Sequence, residues 1–116
     1  LEKFKKKLIN FHPGILPQYR GLYSTFHKII NNEKYFGTSA HFMSRKIDDG
    51  PIIAVIKEQI KGRSLFDCYK ILYRDMLFKL FKQTLKNYDN KIIQDNSSST
   101  IYKTPTLLKI FKYKIL

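Results

Sequence analysis

Apolar and polar residues follow two rhythms along this chain, and each change of rhythm marks an element. Residues 7–11, Lys-Leu-Ile-Asn-Phe, form a short apolar run that stops at His12-Pro13-Gly14. A run of that length ended by turn formers reads as a buried strand. Pro13 and Pro17 disfavour helix at the residue before each, so the segment up to Gly21 is expected to be extended. Ser24 can cap a short helix reaching Asn31, with Phe26, Ile29 and Ile30 on its inner face. From Gly37 to Met43 the period becomes two. Thr38, Ala40 and Phe42 point one way and Ser39, His41 and Met43 the other, which predicts a strand. Residues 45–50 form a polar loop, and the continuous apolar run 52–56 has the pattern of a strand buried on both faces.

Lys61-Gly62 breaks the pattern, and Ser64 followed by Asp67 has the spacing of a capping box. Leu65, Tyr69, Leu72, Met76 and Leu80 then recur at helical spacing, so a helix is expected to reach about Lys86, with this stripe as core packing. Residues 94–100 are polar and serine-rich and read as a linker, followed by a mixed basic and apolar tail over 101–116. Strands alternating with helices indicate an α/β sheet. Three strands are few for such a sheet, so further strands are expected outside this sequence.

The chain has 116 residues, which fits one domain, and its 43% hydrophobic and 15% aromatic content is that of a folded protein. No apolar run approaches the length of a membrane span, and the charged residues 1–7 are not followed by the apolar stretch of a secretory signal. The first residue is Leu, which suggests a fragment of a longer product. One cysteine, Cys68, excludes an intramolecular disulfide and a cysteine-based zinc site, and it points to a reducing, cytoplasmic setting. His12, His27 and His41 lack short ligand spacing, so no metal is expected. The net charge of +13 would suit a nucleic-acid surface. However, Lys, Ile and Asn are all abundant while Arg is scarce, and only Lys5-Lys6-Lys7 is a tight run. Charge of this kind argues solubility and steering, so a nucleic-acid partner is not expected.

Asn10 and His12 are two apart on the first strand, so they project from one side at its carboxyl end. Open α/β sheets bind ligands in the crevice beyond that end. On pattern alone the two residues read equally well as strand-end groups bonded to solvent.

The segment Asn10-Phe11-His12-Pro13-Gly14-Ile15-Leu16-Pro17-Gln18-Tyr19-Arg20-Gly21 resembles the Asn-x-His-Pro-x-x-Leu-Pro-x-x-[Arg/Lys]-Gly motif of the folate-dependent formyltransferase superfamily. Gly37-Thr38-Ser39-Ala40-His41 is similar to that family's Gly-x-[Thr/Ser]-x-His strand, and Ile47-Asp48-Asp49-Gly50-Pro51-Ile52-Ile53 to its Asp-x-Gly loop. The three motifs occur in the family's order, and the resemblance covers residues 4–86. It implies an α/β fold that is the carboxy-terminal part of a Rossmann-like, three-layer mixed sheet, truncated at its amino-terminal half. Residues 1–93 would be the catalytic part and 94–116 a polar linker and tail.

The resemblance further implies Asn10, His12 and Asp48 as the catalytic trio and 10-formyltetrahydrofolate as co-substrate, with no metal. Asp48 is preferred to Asp49 because the family places its acid two residues before the glycine. Arg45, Lys46, Ile47, Asp48, Asp49 and Gly50 match the loop bordering the pterin, while His41, Arg20 and Gly21 fall near the site. His41 reads equally as a strand histidine facing solvent. The partners would be folate and a small-molecule amine. Among acceptors, the His-Pro-Gly and Tyr-Arg-Gly stretches and the tail around Tyr102-Lys103-Thr104-Pro105 resemble sugar formyltransferases, so an amino-sugar nucleotide is expected ahead of glycinamide ribonucleotide or methionyl-tRNA. A formyltetrahydrofolate hydrolase and a basic RNA-binding module are the readings from other classes.

Overall fold

β1 (Ile9–His12), β3 (Tyr35–Phe42) and β4 (Ile52–Gln59) form one sheet in the order β1-β3-β4, antiparallel throughout. β2 (Tyr19–Gly21) pairs in parallel with β5 (Thr100–Tyr102) as a separate two-stranded ribbon. The helices are α1 (Ser24–Ile30), α2 (Leu65–Ile71), α3 (Leu77–Asn87) and α4 (Leu107–Tyr113), with a π turn (Leu72–Met76) joining α2 to α3. These elements come from a computed structural model that describes residues 8–113. The lysine run at 5–7 and the expected start of the first strand lie outside the described residues.

The pleat of β1 and β3 sorts their side chains into two sets. Ile9, Phe11, Ala40 and Phe42 pack with Leu80 of α3, and Phe36 packs with Cys68, Leu72 and Met76. Asn10, His12, Ser39 and His41, at the intervening positions, occupy the opposite face, with Asn10 paired to His41 and His12 to Ser39. The helix layer therefore supports the sheet from one side and leaves the other for the polar group.

The helical stripe is buried as expected, apart from Tyr69, which is partly buried. The π turn was not foreseen, and the spacing explains it. Cys68, Leu72, Met76, Leu80 and Thr84 are buried at steps of four. Four residues of α-helix overshoot a full turn by about 40°, so a continuous α-helix would carry this stripe off the sheet. One extra residue in a π turn takes back about 100° and keeps the stripe facing the core. The capping box forms: the Ser64 hydroxyl accepts from the Asp67 N–H at 3.1 Å, and the Asp67 carboxylate accepts from the Ser64 N–H at 3.3 Å.

Four expectations are corrected. Residues 16–18 turn rather than run extended, and the Tyr19 N–H donates to the Ile15 carbonyl at 3.2 Å, which brings Tyr19 back beside β1. Ser24 does not cap α1. Tyr23 occupies that position with φ 54°, and the Ser24 hydroxyl donates instead to the Pro13 carbonyl. β4 is not buried on both faces: Val55, opposite Ser39 on the face away from α2 and α3, is 37% exposed. The polar segment after residue 93 is tied down: β5 pairs with β2, the Tyr102 ring stacks on Tyr19 at 4.8 Å, and His27 Nε2 donates to the Lys103 carbonyl at 2.8 Å. Among the described residues no helix is long and apolar enough to cross a membrane.

Leu72 is fully buried against Phe36, whereas Phe78 is 63% exposed on the same helical segment. Leu72→Ala should therefore cost about 2–5 kcal/mol in urea denaturation, and Phe78→Ala less than about 0.5 kcal/mol. Comparable losses for both would mean that the helix presents a different face to the sheet.

Candidate active site

The site assembles where β1 ends. His12 is the last residue of that strand, and Ser39, its partner on β3, fixes the chain beyond it by donating to the Gly14 carbonyl at 2.7 Å and accepting from the Leu16 N–H at 3.1 Å. The expected position holds, although the reasoning from parallel sheets does not, because this sheet is antiparallel. The strand end is a site here because the following turn returns Tyr19 to it.

Asp48 enters from the β3–β4 loop. Its Oδ2 lies 3.3 Å from His12 Nδ1 and accepts from the Gly21 N–H at 2.8 Å. Its Oδ1 accepts from Asn10 Nδ2 at 3.3 Å and lies 3.5 Å from His41 Nε2. Asp48 has φ 49°, a left-handed conformation that costs a residue with a side chain about 1 kcal/mol. The surrounding loop is bonded in place. Arg20 Nε donates to the Ile47 carbonyl at 2.8 Å, Gln94 Nε2 to the carbonyls of Asp48 at 3.0 Å and Gly50 at 2.6 Å, and Asn96 Nδ2 to the Asp49 carboxylate. Two glycines make this possible. A Cβ on Gly21, whose φ is 89°, would collide with the Tyr102 carbonyl, and one on Gly50 would collide with that of Phe42.

Donors and acceptors fix the proton positions. His12 Nε2 is 2.7 Å from the Tyr19 carbonyl, which can only accept, so that nitrogen carries a hydrogen. His12 Nδ1 then faces the Asp48 carboxylate. Burial lowers the His12 pKa below its ordinary value, while the Tyr19 carbonyl and Asp48 oppose that shift. Burial acts to raise Asp48, but the neighbouring His41 ring, the bond from the Gly21 N–H and the charge of His12 hold its carboxyl below the usual range. His41 Nδ1 donates to the Phe42 carbonyl at 2.9 Å, which leaves Nε2 to accept from Asn10 Nδ2 at 3.1 Å. The two amide hydrogens of Asn10 thus go to His41 and Asp48.

Two clefts meet at Asp48. A larger one of about 980 Å³ has His12 and Asp48 in its lining, with Tyr23, Tyr69, Tyr73 and Tyr102 among its walls. A smaller one of about 270 Å³ is lined by Asn10, His41, Arg45, Lys46, Ile47 and Asp48.

The structure therefore brings Asn10, His12, His41 and Asp48 together and places Arg20 and Gly21 against the Asp48 loop. Arg45, Lys46 and Ile47 are exposed on the rim of the smaller cleft. Asp49 turns away from His12, towards Asn96 and Arg20, whose Nη2 lies 3.8 Å from its carboxylate. Sequence reasoning missed Tyr19, which acts through a backbone carbonyl, and Gln94, which sits in a segment without periodicity. Among the described residues no cluster of three or more His, Cys, Asp or Glu side chains could hold a metal.

Comparison with known proteins places this geometry in context. The formyl transferase family model matches residues 1–69. The methionyl-tRNA formyltransferase of Finegoldia magna is 30% identical over 105 residues, covering 87% of this chain and 34% of that protein. The phosphoribosylglycinamide formyltransferase of Escherichia coli is 39% identical over 51 residues, 44% of this chain and 24% of that protein. Among solved structures, an N-formyltransferase from Helicobacter canadensis, in complex with folinic acid and dTDP-3-aminofucose, aligns with a TM-score of 0.73 and 30% identity, over 84% of this chain and 38% of that one. The chain thus spans roughly a quarter to two fifths of the length of these three relatives.

In a ring-proton NMR titration His12 should charge below its ordinary value of about 6.5. Asp48→Asn should move the midpoint further down, because the carboxylate that favours the charged ring becomes a neutral amide. An unchanged midpoint would contradict the contact. Stability carries the same sign. The unfolded chain takes up the proton first, so the contribution from His12 is whole above about pH 6.5 and declines as the pH falls towards the folded value.

Proposed function

Since the chain belongs to the formyl transferase family, we propose that it serves transfer of a formyl group from 10-formyltetrahydrofolate to the primary amine of a nucleotide-linked amino sugar. The observation that carries this reading is the convergence of Asn10, His12 and Asp48 at the junction of two clefts. A reaction between two substrates needs such a junction. The folate would approach by the smaller cleft, bordered by residues 45–50, and the acceptor would occupy the larger one.

The amine nitrogen attacks the formyl carbon, and negative charge develops on the former carbonyl oxygen. The proton lost by the amine goes to N10 of the folate as the carbon–N10 bond breaks. Asn10 and His12 supply donors to the oxygen, an arrangement worth a few kcal/mol in comparable sites. Their hydrogens are already bonded to His41, Asp48 and the Tyr19 carbonyl. An oxyanion is a stronger acceptor than a neutral carbonyl or ring nitrogen, so it can capture one of these bonds as its charge grows. Asp48 keeps the His12 ring in place and favours its charged form.

The larger cleft supports the choice of acceptor. Tyr69 and Tyr73 stack on each other with centroids 6.1 Å apart, and with Tyr23 they offer flat faces to a nucleobase. Lys103 lines the same cleft and suits a diphosphate, and the Thr25 hydroxyl there is buried without a partner. The Helicobacter canadensis relative was solved with an amino-sugar nucleotide. The single cysteine, buried and unpaired, fits the reducing cytoplasm.

In assays of the whole protein, His12→Ala and Asp48→Asn should each lower kcat by about 10²–10⁴, and Asp49→Asn by less than about tenfold. Tyr73→Ala should raise KM for the acceptor more than it lowers kcat. Full activity in both the His12 and Asp48 variants would remove the trio. Turnover of glycinamide ribonucleotide but not of amino-sugar nucleotides would reassign the acceptor, and formate release without acceptor would indicate hydrolysis.

A further inference from the structure

The conformation of Asp48 is set by the two peptide planes that flank it. Rotation between those planes defines its φ and ψ, and φ is 49°. The contacts from Gly21, Asn10 and His12 hold the carboxylate and leave the planes free to turn. The plane before Asp48 is pinned by Arg20 Nε, which donates to the Ile47 carbonyl at 2.8 Å. The plane after it is pinned by Gln94, whose Nε2 donates to the Asp48 carbonyl at 3.0 Å and the Gly50 carbonyl at 2.6 Å.

Gln94 is placed for donation alone. Two carbonyls can only accept, so the nitrogen end of the amide must face them and each hydrogen is used. The opposite end, Oε1, is buried without a partner. A glutamine kept for general polarity would satisfy both ends, whereas this one leaves an acceptor unpaired to secure two donated bonds. Its segment is anchored on both sides. Ile92 forms a bridge with Ile52, and the Thr100 N–H donates to the Gln18 carbonyl at 2.9 Å.

We propose that Gln94 is a positioning residue for the reaction: by holding the carbonyls of Asp48 and Gly50 it keeps Asp48 in the left-handed turn that presents its carboxylate to His12 and Asn10. The catalytic significance rests on the formyl-transfer reading; the positioning itself does not. The segment after α3 thereby belongs to the site.

The test uses Gln94→Glu, which replaces the donors by a carboxylate, and Gln94→Met, which removes them without charge at similar length. Both are examined in the whole protein by amide hydrogen exchange and by NMR titration of His12. Loss of positioning should free the Gly21 N–H from the Asp48 carboxylate, so its exchange should quicken on the order of tenfold while amides of β3 keep their rates. In Gln94→Met, which adds no charge, the His12 midpoint should fall towards that of Asp48→Asn. In turnover, kcat should drop with acceptor KM nearly unchanged. A folded variant with unaltered Gly21 exchange and His12 midpoint overturns the proposal. So does equal acceleration of exchange in β3, or unfolding of both variants, because either makes Gln94 a structural residue. Exchange and titration need neither folate nor acceptor. Failure of the formyl-transfer reading would appear as absent turnover in the parent protein, and these readouts would still stand.

Discussion

A single carboxylate, Asp48, accepts a hydrogen bond from the Gly21 N–H, faces the rings of His12 and His41, and takes one amide hydrogen of Asn10. It does so from a backbone conformation that is disfavoured by about 1 kcal/mol, so the arrangement exists only while its surroundings hold it. Each hydrogen bond contributes about 0.5–1.5 kcal/mol net, and several together outweigh the cost of the turn. The rest of the chain is organised around that requirement. The register of β1 on β3 sets Asn10 opposite His41, the turn at 16–18 returns Tyr19 to His12, and β2 delivers Gly21 with no side chain to obstruct Tyr102. Helices α2 and α3 back the opposite face of the sheet and support the polar group from behind.

The parts legible in the sequence were those with a local signal. The period of two from Gly37 to Met43 placed His41 and Ser39 on one face, the Ser64–Asp67 spacing gave a helix start that forms as a capping box, and the motif order drew Asn10, His12 and Asp48 into one group. What escaped depends on partners far along the chain. Ser24 looks like a cap, but its hydroxyl finds the Pro13 carbonyl, a tertiary partner that competes with the local one. Val55 reads as buried because an apolar run cannot reveal which face of its strand the helices will leave uncovered. Tyr19 contributes a backbone carbonyl, which no side-chain pattern encodes. Gln94 sits among polar residues whose only distinction is what they reach across the fold.

The electrostatics of the site set two tendencies against each other. Burial disfavours the charged forms of both His12 and Asp48, while their proximity favours a charged pair. For Asp48 the surrounding donors prevail, and for His12 burial prevails. The outcome is an ionised carboxylate beside a ring that gives up its proton more readily than an ordinary histidine. A group with both properties can donate to growing negative charge and then release the proton, which matches the demand of the proposed transfer.

The chain after α3 ties this electrostatic centre to the larger cleft. β5 lies along β2, so Ile101 and Tyr102, which line the cleft, are fixed to the strand that carries Gly21 and the Tyr19 carbonyl. Tyr102 also stacks on Tyr19 and accepts from the Leu22 N–H at 2.9 Å. A ligand that presses on this wall therefore bears on the strand whose residues bond His12 and Asp48. Gln94 reaches Asp48 from the same continuous segment. On the proposed reading, binding in the cleft and alignment of Asp48 draw on the same segment of chain. The proposed transfer calls for such a link, because the amine must be held in place before the carboxylate and imidazole can act on it.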